Sequence, residues 1–71
     1  MIILTGVCGS TGKLHERTFG SREEMYKWAE SRVDDLGIDA DKSRPKGMRR
    51  NRWIIYIAMN DYCSWSVRRS K

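Results

Sequence analysis

Twelve consecutive residues, Lys42-Ser43-Arg44-Pro45-Lys46-Gly47-Met48-Arg49-Arg50-Asn51-Arg52-Trp53, carry six bases and no acid. Their chemistry is the recognition of anions. Arg68, Arg69 and Lys71 add three bases near the C-terminus, so residues 42–71 hold nine bases against the single acid Asp61, a balance of +8. Residues 1–41 hold five bases and eight acids, a balance of −3. A split of this kind points to an anionic partner and says nothing about the fold. Arginine outnumbers lysine six to three within the basic set. That favours planar, bidentate contacts with phosphate or carboxylate. The predicted contact set for nucleic acid or another polyanion is therefore Lys42, Arg44, Lys46, Arg49, Arg50, Arg52, Arg68, Arg69 and Lys71. Pro45 and Gly47 break helical continuity, so an extended loop lying along a backbone is expected rather than a groove-reading helix.

Other reactive residue types are sparse. The lone histidine, His15, sits next to Glu16, but neighbours on a strand point to opposite faces and cannot form a base pair of groups for catalysis. A nucleophile and base made from Cys8 and His15 across a hairpin is conceivable, yet a solvent-facing histidine on a polar strand is the simpler reading. Asp34 with Asp35, and Asp39 with Asp41, fall at a helix end and in a loop, where they read as solvated charge. Two cysteines, Cys8 and Cys63, and one histidine show none of the spacings that gather metal ligands. The expectation is a binding protein that is not an enzyme and needs no metal or cofactor.

The glycine series Thr5-Gly6-x-x-Gly9-x-x-Gly12 is similar to that of the short-chain dehydrogenase and epimerase families, in which glycines let a pyrophosphate approach the backbone. That resemblance would imply a helix directly after Gly12 and a parallel sheet of several βα units. Residues 13–19 carry no apolar helical stripe, and 71 residues cannot build such a sheet. Gly12-Lys13 likewise evokes a P-loop. However, Val7 occupies the first glycine position and Leu14 stands where a Ser or Thr would hold magnesium. A glycine-rich hairpin turn is the expected structure.

The elements that must position these groups follow from patterning. Ile2 to Cys8 reads as a first strand and Leu14 to Phe19 as a second, joined by the turn cluster Gly9-Ser10-Thr11-Gly12. Ser21 and Glu24 form a capping box, with Glu23 and Glu24 suiting the helix dipole. Met25, Trp28, Ala29, Arg32, Val33 and Leu36 lie on one stripe, and Gly37 suits a left-handed stop. This predicts a helix from about Arg22 to Leu36. Residues 38–51 read as a long loop, Arg52 to Met59 as a strand and Tyr62 to Arg68 as another. A three-residue loop pairing Met59 with Cys63 places Trp53, Ile55, Ile57 and Met59 on the same face as Trp65 and Val67. In that register residues 53 and 69 are cross-strand neighbours, so the basic loop and the tail should converge.

The predicted fold is a single α+β domain over residues 1–71, a small antiparallel sheet in ββαββ order with one helix packed on one face. Tyr56 is then an exposed contact on the far face, flanked by Ile54 and Ala58. That strip would suit base stacking, a protein partner or self-association. The longest apolar run, Ile54 to Met59, is too short to cross a bilayer, and Met1 to Leu4 lacks the basic start of a secretory signal. A cytoplasmic location with reduced thiols is expected. Two functions compete. One is a nucleic-acid-binding accessory protein. The other is a small regulator or inhibitor, looking like the accessory proteins that bacteriophages encode, which docks on an acidic surface of a larger protein. A homodimer is compatible with either.

Overall fold

A computed structural model describes residues 1–70 and shows a three-stranded antiparallel sheet layered against helices. The strands are β1 (Ile2–Val7), β2 (Leu14–Phe19) and β3 (Ser64–Arg69). The helices are α1 (Arg22–Asp35), α2 (Ala40–Ser43) and α3 (Arg50–Ala58). The order along the chain is therefore ββαααβ, which corrects the expected ββαββ arrangement with a single helix.

The first hairpin forms as its residues suggest. β1 pairs with β2 from Ile2↔Phe19 to Val7↔Leu14. The turn closes with the Cys8 amide on the Lys13 carbonyl at 2.9 Å, and Gly12 supplies a φ of 70° that other residues resist. β1 is also bonded on its other side, to β3, from Ile2↔Arg69 to Val7↔Ser64. It is thus the central strand, in the order β2-β1-β3. Its alternation follows: Ile2, Leu4 and Gly6 are buried, while Ile3, Thr5 and Val7 face the less covered side.

α1 keeps its predicted bounds within a residue. The Glu24 amide donates to Ser21 Oγ at 3.3 Å, and the Glu24 carboxylate accepts from the Gly20 amide at 2.8 Å, one residue earlier than a standard capping box. At the other end Gly37, at φ 71°, lets the Gly37 and Ile38 amides bond back to the Asp34 and Val33 carbonyls. Met25, Ala29 and Val33 are buried. Arg32, which interrupts the apolar stripe, has a purpose. Its Nε donates to the Ala58 carbonyl at the end of α3, and its Nη2 meets Asp61, both at 2.9 Å.

The largest correction concerns Arg52 to Met59, expected as a strand and found as helix α3 and its C-cap. Ile54, Ile55, Ile57 and Ala58 are all buried, which a strand with one open face would not achieve. They close the core with Met25, Ala29 and Val33 of α1 and with Ile2 and Leu4 of β1. The expected Met59–Cys63 pairing and the expected neighbours 53 and 69 do not exist: Arg69 lies opposite Ile2. The 38–51 segment is also shorter as a loop than expected. Asp39 caps α2 by accepting from the Asp41 and Lys42 amides, and Trp53 Nε1 donates to Ser43 Oγ at 3.1 Å, tying α2 to α3. No helix among the described residues is long and apolar enough to cross a membrane.

Candidate nucleic-acid interface

Between α3 and the edge strand β3 runs an open groove of about 940 Å³. Arg22, Arg49, Arg50 and Arg52 line it, and no acidic residue among those described does. Arg50 is turned toward carboxylates at its back. Its Nη2 meets Glu30 at 2.8 Å and its Nε meets Asp41 at 3.0 Å. The hydrogen bond to Glu30 and then that to Asp41 raise its pKa above the usual guanidinium value. Arg22, Arg49 and Arg52 have no carboxylate partner among the described residues. Three uncompensated guanidinium groups therefore face one hollow.

Aromatic surface is interleaved with this charge. Tyr56 is 49% exposed and lies one helical turn from Arg52. It stacks on Trp53, with ring centroids 5.6 Å apart and planes at 18°, and meets Trp65 of β3 edge-on at 6.3 Å. Tyr56 of α3 and Trp65 of β3 both line the groove, with Met25 and Tyr26 of α1 also contributing. The wall on the β3 side adds a sheet edge that no strand among the described residues pairs. The ladder alternates, and the Ser70 amide bonds the Met1 carbonyl, so the backbone groups of Trp65 and Val67 point away from β1.

The local construction of α3 is unusual. Its N-cap, Arg49, makes no side-chain capping bond, and its first turn has no acidic residue. Arg50 and Arg52 instead place positive charge at the positive end of the helix dipole, which is unfavourable for the isolated chain. An anion at this end would reverse the sign of that interaction.

The expected contact residues are dispersed. Arg49 and Arg52 line the groove, and Arg50 does so while held by two acids. Lys42 lies in α2, Arg44 is its C-cap, and Lys46 occupies the turn before Gly47; none of the three lines the groove. Arg68 sits opposite Ile3, on the far face of the sheet, and reaches Glu16 at 3.3 Å. Arg69 shares the face of Ile2 at the end of β3. Lys71 lies outside the described residues. Tyr56 is exposed as expected, but on a helix, and its expected companions Ile54 and Ala58 are buried. Arg22 and Trp65 complete the site without having been singled out for it. Arg22 carries no local sign of its role, because only the packing of α1 against α3 brings it there.

No family model, curated protein or solved structure matches the chain.

Proposed function

We propose that the protein binds single-stranded nucleic acid in the groove between α3 and β3 and performs no chemistry on it. One observation carries this reading: three arginines and the exposed ring of Tyr56 line the same groove, and among the described residues no acid partners those arginines or lines it. Guanidinium groups track a phosphate backbone, and every base offers a π-face to an aromatic ring regardless of sequence. An open groove with a partly exposed tyrosine suits unpaired bases better than the closed stack of a duplex. Of the basic residues outside the groove, Lys42, Arg44 and Lys46 contribute to the wider positive field rather than to direct contact.

The test is fluorescence anisotropy with a labelled oligothymidylate, the matching abasic strand and a duplex of equal length. The intact single strand should bind tightest. Tyr56→Ala should weaken it by about 1–3 kcal/mol, roughly 5- to 150-fold, with little effect on the abasic strand. Equal affinity for intact and abasic strands would contradict stacking.

A second reading, docking on an acidic segment of a larger protein, is favoured by the free edge of β3 at the groove. An extended acidic peptide could add to that edge as a strand while its carboxylates meet Arg49 and Arg52. Capture that survives nuclease treatment and is lost in Arg52→Ala would support this reading over the first.

A further inference from the structure

Cys8 and Cys63 are separated by 54 intervening residues yet flank the same end of the β1–β3 ladder. That ladder runs from Ile2↔Arg69 to Val7↔Ser64, and Cys8 and Cys63 lie directly beyond its last pair. The Cys63 amide donates to the Val7 carbonyl at 2.9 Å, anchoring it beside the end of β1. The sulfur lies against the backbone next to Cys8: a Cβ added at Gly9 would collide with Cys63 Sγ. Cys63 thus meets both chain neighbours of Cys8, its amide at Val7 and its sulfur at Gly9, which brackets Cys8 at the close range a disulfide needs. Both residues are free thiols, one half-buried and one exposed.

We propose that Cys8 and Cys63 form a thiol pair that reacts with low-molecular-weight disulfides and closes an internal disulfide between β1 and β3. This goes beyond the nucleic-acid reading and does not rest on it. Cys8 is the attacking sulfur. Its Sγ lies 3.3 Å from Ser10 Oγ, and the hydroxyls and amides of Ser10 and Thr11 bring its pKa down to about 6, with no charged side chain contributing. The Cys8 thiolate attacks one sulfur of the oxidant RSSR, forming Cys8–S–S–R and expelling RS⁻. Cys63 then loses its proton and attacks the Cys8 sulfur. The bond to R breaks and a second RS⁻ leaves. Two protein thiols are oxidised by two electrons, one RSSR is reduced to two RSH, and the two protons lost by the protein are taken up by the leaving thiolates.

The size of the kinetic advantage depends on pH. At pH 6 a thiol with a pKa of about 6 is half ionised, whereas an ordinary one near 8.5 is only ~0.3% ionised. Its lower basicity reduces intrinsic nucleophilicity by about 13-fold, leaving a net advantage of about tenfold at that pH. At pH 7 the same arithmetic leaves only about two- to threefold, so the acidic arm is the informative one.

The experiment treats the full chain with oxidised glutathione and reads intact mass and peptide maps. The wild type should yield a monomer lighter by two hydrogens, with Cys8 linked to Cys63, restored by dithiothreitol. Cys63→Ser should stop at a single glutathione adduct on Cys8, and at pH 6 that adduct should form about tenfold faster than the adduct on Cys63 in Cys8→Ser. Adducts on both cysteines of the wild type without an internal link would overturn the proposal, as would disulfides only between chains.

Discussion

Arg50 and Arg52 are of the same type and two residues apart, yet their surroundings separate them. Arg50 is held by Glu30 and Asp41, while Arg52 faces the groove without an acid. The count of bases in the sequence is correct, but which of them stay uncompensated is decided by acids that are distant along the chain. Cys8 shows the same dependence on context, and its titration makes a prediction. Its folded pKa of about 6 lies below the value near 8.5 of an unfolded thiol. A lowered acid stabilises the fold above its unfolded pKa and loses that contribution as pH falls through the folded one. Urea denaturation of wild type and Cys8→Ser under reducing conditions should therefore show the wild type gaining stability relative to the variant from pH 6 to pH 8.5. A difference that stays flat over that window would contradict the Ser10 and Thr11 hydrogen bonds to the thiolate.

Among the elements, α1 and the first hairpin were legible because their signals are local. Ser21 and Glu24 mark one helix end, Gly37 the other, and Gly12 the hairpin turn. α3 was not, because Trp53-Ile54-Ile55-Tyr56-Ile57 is rich in β-branched and aromatic residues, and a short apolar run cannot be assigned by periodicity alone. A weaker sign was present. Arg49, Asn51, Arg52, Tyr56 and Asn60 are the exposed positions, and from Arg52 onward they recur every four residues, as on a helix. Reading the segment as a strand carried Tyr56 to the wrong element and created the false convergence of residues 53 and 69. The parity of β3 was read correctly: Trp65 and Val67 are half-buried while Ser64 and Ser66 are exposed. The uncapped start of α3 yields a prediction at this scale. Arg49→Asp supplies the missing cap and suits the helix dipole, so it should stabilise the fold by about 1 kcal/mol, roughly 4–8 °C in Tm. The same change should weaken oligonucleotide binding. A lower Tm together with unchanged binding would show that Arg49 serves the fold and not a ligand.

At the scale of the whole molecule, α3 divides two fields of opposite sign. On one side lies the arginine-lined groove. On the other, a hollow of about 390 Å³ is lined by Glu30, Asp34, Asp39 and Asp41, with Arg50 and Ile54 of α3 between them. This charge separation would orient an approaching polyanion toward the groove and away from the acidic end. The sheet frames this arrangement, because β3 joins the N-terminal strand and leaves its free edge toward α3. The most direct test is the salt dependence of binding to a single-stranded oligonucleotide, for the wild type and for Arg49→Ala/Arg52→Ala. Each phosphate neutralised on a single strand contributes about 0.7 to the slope of log K against log salt. Three unpaired arginines therefore predict a wild-type slope of roughly −2, falling to about −0.7 in the double variant. A wild-type slope near zero, or a double variant that keeps the full slope, would contradict the assignment of the groove.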